Sequence, residues 1–243
     1  MKSRITFAAT LVALMTATAG AQTPAKLPTV QQVFDSFAKA VGGRAAWEKV
    51  TDRAEAGKAD IVFAGVTGTY SRYYAAPNKM RLIIDLGKDV GKVEQGTDGA
   101  VVWRAQPDGS LSKIAEPDAT DIIEANMTGA VFLDPTRFTK ASVESEEAFD
   151  GVPCYKVAIT TKTGRERIDF FEVATGLRRG QVVMTLAGLQ RTVWRDYKPF
   201  DGKLVPTTNI LTNPQGDIII TVTSVTFTPS DPALFVPPPG VAK

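Results

Sequence analysis

Histidine is absent from this 243-residue chain, and cysteine occurs once, at Cys154. Without an imidazole there is no Ser-His-Asp or Cys-His catalysis, no histidine metal ligand and no histidine pH switch. A lone cysteine forms no intramolecular disulfide, so the fold must stand on core packing. Within Val152-Pro153-Cys154-Tyr155-Lys156-Val157 the thiol lies on an expected strand. It reads there as a small buried hydrophobe, with a reactive or intermolecular thiol as the alternative. Basic runs interleaved with aromatics are also missing, which removes a nucleic-acid footprint. So are the phosphate loop, the dinucleotide-binding glycine pattern, the nucleophile elbow and the calcium loop.

The few local matches to catalytic patterns fail on context. Ser110-Leu111-Ser112-Lys113 and Lys162-Thr163-Gly164 resemble two elements of the serine β-lactamases. Ser110, however, follows the Asp108-Gly109 turn instead of opening a core helix, and no Ser-x-Asn or Ser-Asp-Asn element lies between the two. Glu144, Glu146 and Glu147 sit on an alternating stretch that puts Glu144 and Glu146 on one face and Glu147 on the other, the pattern of a solvated edge strand. Asp118, Asp121 and Glu124 stand at a helix start, where the dipole favours negative charge. No constellation for acid/base work remains, so the chain reads as non-enzymatic and calls for no cofactor and no metal.

The first residues read as an address. Lys2 and Arg4 precede an apolar stretch from Ile5 to Met15, and Ala19-Gly20-Ala21 has the small-x-small form of a cleavage site. This predicts a signal peptide over 1–21, a mature chain from Gln22, and a periplasmic or secreted location. The apolar run is short for a membrane span, so no transmembrane segment is expected in the mature chain. Losing Lys2 and Arg4 from 28 basic residues leaves 26 against 26 acidic ones, a nearly neutral protein.

Turn signals punctuate what remains: Pro77-Asn78, Asp98-Gly99, Asp108-Gly109, Asp150-Gly151, Thr163-Gly164, Thr175-Gly176, Asp201-Gly202 and Pro214-Gln215-Gly216. Asp-Gly favours hairpins because the tight turn needs positive φ, which Gly adopts freely and Asp tolerates. Between the turns, strands are expected at 53–63, 66–75, 79–86, 91–96, 100–106 and 110–114. A second set is expected at 141–148, 154–161, 165–173, 177–186, 190–197, 204–211 and 217–227. Alternation sets Met80, Leu82, Ile84 and Leu86 against Arg81, Ile83 and Asp85, and Val182, Met184 and Leu186 against Gln181, Val183 and Thr185. Tyr70, Arg72 and Tyr74 share a face, as do Val193, Arg195 and Tyr197, and read as solvated cross-strand ladders on the outer face, with an anion site as the alternative.

Two helical stretches stand out. Thr29 with Gln32 forms a capping box ahead of a stripe of Val30, Val33, Phe34, Phe37 and Val41, stopped by Gly42-Gly43 and followed by a short helix over Arg44 to Val50 carrying Trp47. The second lies in the apolar insert Pro117 to Phe138, where Asp118 is the expected cap and Ile122, Ile123 and Met127 are apolar, followed by Val131-Phe132-Leu133. A segment this apolar must lie on something greasy, as a fixed plug or as a movable lid.

The segment Lys39 to Lys49, the strand pair around Ala76-Pro77-Asn78-Lys79-Met80, and Thr97-Asp98-Gly99 followed by Trp103 resemble secreted bacterial proteins of the outer-membrane lipoprotein-sorting, LolA-like family. Asp150-Gly151 with Tyr155-Lys156-Val157, Phe170-Phe171 with Thr175-Gly176-Leu177, Asp196-Tyr197 with Asp201-Gly202 and Val205-Pro206, and the closing Asp231-x-x-Leu234-Phe235 fit the same pattern, which spans nearly all of 22–243. The resemblance implies one mainly β domain over 22–243: a curved antiparallel half-barrel of about eleven strands with helices packed in its concave face. It further implies a periplasmic carrier of a lipid, a lipoprotein acyl chain or another amphiphile. The expected lining is Met80, Leu82, Ile84, Trp103, Ile122, Ile123, Met127, Phe132, Phe170, Met184 and Trp194. The alternative is a filled scaffold that docks an envelope protein partner through a sheet edge or the N-terminal helix.

Overall fold

A computed structural model describes residues 26–126, 135–185 and 188–241. The leader over 1–21 and the proposed lining residues Met127 and Phe132 lie outside the described residues. Thirteen strands form one antiparallel sheet. They are β1 (Asp52–Ile61), β2 (Val66–Ala75), β3 (Lys79–Asp85), β4 (Lys92–Thr97), β5 (Val102–Ala105), β6 (Leu111–Lys113) and β7 (Lys140–Phe149), then β8 (Val152–Thr160), β9 (Glu166–Glu172), β10 (Arg178–Thr185), β11 (Gly188–Phe200), β12 (Lys203–Asn213) and β13 (Gly216–Thr226). Each stretch marked out by the turn signals carries a strand, so the sheet is two strands wider than the family resemblance implies.

The order across the sheet is β6-β5-β4-β3-β2-β1-β13-β12-β11-β10-β9-β8-β7. It is two meanders joined where β1 pairs with β13. The two edge strands, β6 and β7, are therefore consecutive in the chain, so a single connection runs from one edge of the sheet to the other. That connection is the apolar insert, which contains α3 (Asp118–Ala125).

The helix α1 (Val30–Ala40) begins as its sequence dictates: the Thr29 hydroxyl accepts from the Gln32 amide at 3.2 Å, and the Gln32 side chain accepts from the Thr29 amide at 2.8 Å. Its buried stripe of Val33, Phe34 and Ala38 lies on the concave face of the sheet. Phe34 is fully buried, with ring centroids 5.7 Å from Phe171 and 6.2 Å from Phe138. The short α2 (Arg44–Glu48) turns Trp47 inward, where its indole donates to the Val41 carbonyl at 2.8 Å and its ring meets Phe227 edge-on. Ala38, Val41, Trp47, Ala59, Tyr70, Ile84, Val205, Val222 and Val225 form one core cluster beneath the two helices.

Three local readings are corrected. Asp118 does not cap α3; it is the first helical residue, Pro117 holds the cap position, and the Asp118 carboxylate is drawn to Arg165 instead. On the edge strand β7 a bulge between Val143 and Ser145 breaks the alternation, so Glu144 and Glu147, rather than Glu144 and Glu146, lie nearest one partner, Lys156, at 3.4 and 3.9 Å. Tyr197 does not share the environment of Arg195: Asp196 has φ 54°, Arg195 pairs with Asp150, and Tyr197 packs against the core under the helices.

Candidate functional site

The register assigns the two faces. Tyr70, Arg72 and Tyr74 on β2 stand opposite Ile84, Leu82 and Met80 on β3 and opposite Gly57, Glu55 and Arg53 on β1. Tyr70 and Ile84 belong to the cluster beneath α1, so this row is the inner wall. The solvated-ladder reading of Tyr70, Arg72 and Tyr74 is thereby overturned: both tyrosines are buried, because the strand turns this face under the helices and not to water.

The polar groups in this wall are held together. The Tyr70 hydroxyl donates to Glu55 Oε2 at 2.8 Å, and Arg53 Nε lies 3.1 Å from Glu55 Oε1. The guanidinium groups of Arg53 and Arg72 lie 4.1 and 4.8 Å from the centre of the Tyr74 ring. Burial, reinforced by the Glu55 carboxylate, raises the Tyr70 phenol well above its ordinary value, and burial raises Tyr74 as well. Both phenols therefore remain neutral, and that of Tyr70 donates to Glu55. Arg72 Nη2 donates to Asn126 Oδ1 at 2.5 Å, and Asn126 Nδ2 donates back to the Ile122 carbonyl at 2.7 Å. This ties the end of α3 to the middle of the wall. The other end of α3 is tied by ion pairs from Asp118 and Asp121 to Arg165, with Thr163 donating to Asp121 at 2.6 Å.

On the opposite half of the concave face Asp169 is fully buried and accepts from Arg178 Nη2 at 2.7 Å. The same guanidinium lies over the Trp194 ring at 4.1 Å and reaches Gln181 Oε1 at 2.7 Å. Burial lowers the Arg178 guanidinium from its ordinary value while Asp169 opposes the shift. The inner wall thus carries Arg53, Arg72, Arg104, Arg167 and Arg178 against Glu55 and Asp169, a basic excess that composition does not disclose.

An open cleft of about 580 Å³ runs between α1 and the start of the β9–β10 turn. Val33, Ala40, Tyr155, Phe171 and Val173 supply its apolar surface, and Gln32, Ser36, Lys39 and Glu172 its polar lip. Among the described residues, none of the proposed lining borders it; Phe171, next in sequence to Phe170, does.

The proposed lining residues separate into two groups. Met80, Leu82 and Ile84 lie on the inner wall, Trp194 joins them opposite Asn209, and Ile122 and Ile123 are half-buried on α3 between the buried Ala119 and Asn126. Trp103, Phe170 and Met184 face outward. Trp103 pairs with Gly96, which pairs with Arg81, and it is fully buried over Gly96, where an added Cβ would lie 2.2 Å from its ring. The C-terminal segment crosses this outer region, with the 3-10 turn Pro232–Phe235 against β3 and Gly240 beside Leu111. Phe170 stacks on Phe149 at 4.0 Å in an outer cluster with Cys154 and Val193, and Met184 is exposed.

That outer cluster is shielded by charge. Arg191 lies 4.4 Å from the centre of the Phe149 ring, and the Asp150 carboxylate is shared by Arg179, Arg191 and Arg195. The hydrogen bond from Arg195 holds the Asp150 carboxyl below its ordinary value against the opposing effect of burial, and Arg179 adds to the lowering. Sequence reading missed this cluster and the inner polar one. The available signal for both was arginine at alternate strand positions next to aromatics, which is equally the pattern of a solvated ladder.

The chain matches no family profile and no curated protein. Solved structures do match. A DUF1329-family protein from Desulfovibrio piger aligns with a TM-score of 0.57 at 14% identity, over 82% of this chain and 92% of that one. A LolA-superfamily protein from Nitrosomonas europaea aligns with a TM-score of 0.57 at 11% identity, over 87% and 99%. An outer-membrane lipoprotein-sorting protein domain from Vibrio parahaemolyticus aligns with a TM-score of 0.56 at 12% identity, over 82% and 93%. An open curved antiparallel sheet with helices in its concave face, shared with these proteins over most of their length, is a LolA-like fold.

Proposed function

We propose that this chain is an exported, non-catalytic carrier that shelters the apolar part of an amphiphile between the sheet and its helices. The observation that carries the reading is the cleft beside α1: apolar on its floor, polar on its lip, and within the range of about 300–1,000 Å³ usual for small-molecule sites. The inner-wall residues Met80, Leu82, Ile84 and Trp194, with Ile122 and Ile123 of α3, form the second apolar surface in this reading, and α3 is the strap over it. The inner arginines favour a cargo with an acidic head group, because burying a carboxylate or phosphate requires a charged partner. The LolA-like fold is consistent with such a carrier but does not name the cargo.

The test is uptake of a fluorescent fatty acid by the exported protein, alongside native mass spectrometry of material recovered without detergent. The carrier reading expects saturable probe binding and a co-purifying lipid mass. Bare protein in the spectrometer together with no probe binding would overturn it and leave an envelope scaffold.

A further inference from the structure

Among the described residues, five of the seven exposed large hydrophobic ones lie on turns or strand ends at one end of the sheet. Four of them form a continuous feature. Val62 and Phe63, 54% and 50% exposed, occupy the β1–β2 turn. Met184 and Leu189, 59% and 54% exposed, face each other across the β10–β11 hairpin. The β12–β13 turn lies between these two hairpins: Ile61 pairs with Ile218 on one side, and Thr212 pairs with Arg191 on the other. The turns touch. Phe63 packs over Gly216, where an added Cβ would lie 2.8 Å from the Phe63 Cβ, and Pro214 packs over Gly188 at the same separation.

The sequence of these three hairpins is free of charge over long stretches. No Asp, Glu, Lys or Arg occurs in 61–71, 180–190 or 204–216. Chains that expose large apolar residues usually ring them with charge to stay soluble and apart. Here the charged side chains stand at the bases of the three tips: Asp60, Asp217, Arg191 and Arg165, whose guanidinium bonds the Met184 carbonyl. Uncharged hairpin tips that carry large exposed apolar side chains suit a medium that yields around them.

The strap meets the same end of the sheet. Arg165, which holds Asp118 and Asp121 of α3, also donates from Nη1 to the Met184 carbonyl at 3.1 Å. The fastened end of α3 is therefore built onto the apolar ridge.

We infer that the ridge formed by Val62, Phe63, Pro214, Met184 and Leu189 is a membrane-docking edge that dips into the apolar layer of a lipid bilayer. This deepens the carrier reading and rests on it, because an amphiphile resides in a bilayer before a carrier takes it up. The ridge brings the fastened end of α3 to that surface, while the cleft beside α1, at the β9–β10 turn, opens at the opposite end of the sheet. Its hold is apolar burial, not attraction to anionic lipid, and this separates it from a basic surface patch.

Vesicle flotation of the exported protein tests the inference, using phosphatidylcholine with and without phosphatidylglycerol, at low and high salt. Binding should occur to both lipids and be insensitive to salt. The variant F63D/M184D should lose about tenfold or more of its bound fraction, since each aspartate puts a charge into the buried layer. A readout that does not depend on that variant folding is F63C carrying an environment-sensitive dye, which Cys154, being buried, leaves singly labelled. Its emission should shift to the blue on vesicles, and that of S224C, on an exposed stretch away from the ridge, should not. No flotation, flotation abolished by salt, or equal shifts at both dyes would each overturn the docking edge. Uptake of monomeric fatty-acid probe without vesicles should be unchanged in F63D/M184D. If the unaltered protein takes up no probe, the carrier reading fails while flotation still decides the ridge.

Discussion

The two faces of the same strands solve one problem in different ways. On the inner face, aromatic and charged side chains are covered by helices: Phe34 of α1 lies on Phe171, and Asn126 after α3 meets Arg72. On the outer face, no helix among the described residues lies over Phe149, Cys154, Phe170 and Val193, which are covered by arginines gathered on Asp150. Both faces bury aromatics, so buried area alone does not identify the working face. What differs is the covering: helices on the inner face, with α3 held by Arg72 and Arg165, and guanidinium groups gathered on one carboxylate on the outer.

The sharpest way to break this comparison is the adjacent pair Phe170 and Phe171. Truncating either to alanine should cost about 3–5 kcal/mol in denaturant unfolding, because each is a large, buried ring. Only Phe171→Ala should also weaken fatty-acid uptake, since Phe171 borders the cleft and Phe170 does not. Equal loss of uptake in both would mean that the faces are not functionally distinct.

A smaller effect is expected at Asp150. Asp150→Asn keeps a residue that tolerates φ 53° while removing the charge that three arginines share, and should cost about 2 kcal/mol. The sign with pH follows from the lowered carboxyl. Its contribution is complete above the unfolded-state value of 3.8 and fades as the pH falls through the lower folded value. The unaltered protein should therefore lose stability below about pH 4 more steeply than Asp150→Asn. Parallel curves would remove the outer charge lattice as a stabilising feature.

The smallest effect is at Cys154. Burial pushes its thiol up to about 11, so thiol reagents at pH 8 should leave the folded protein unmodified and react fully after unfolding. Rapid modification of the folded protein would show that the outer cluster opens.

Much of the architecture was legible because it depends on local chemistry. Asp-Gly and Thr-Gly turns state where a strand must reverse, and the capping box at Thr29 states where α1 begins, whatever lies elsewhere in the chain. The lining was less legible. Met80, Leu82 and Ile84 share one strand and one period, and the register keeps them on one face. Trp103, Phe170 and Met184 share only hydrophobicity with them and stand on the outer face. A period of two states which residues share a face, but not which face is covered.

The sequence by itself determined thirteen strand-forming stretches, the turns between them and a capped amphipathic helix, since each follows from the conformational preferences of neighbouring residues. Tertiary structure decided the rest. The pairing of β1 with β13 leaves β6 and β7 at opposite edges, joined by the segment that holds α3. The β7 bulge and the positive φ of Asp196 redirect side chains that simple alternation would place otherwise. The pairing of Arg72 with Asn126, 54 residues away in the chain, and of Arg165 with Asp118, 47 away, depends on which surfaces the sheet's curvature brings together. No local propensity encodes those meetings, because their stability comes from long-range burial and charge pairing that exist only once the sheet has formed.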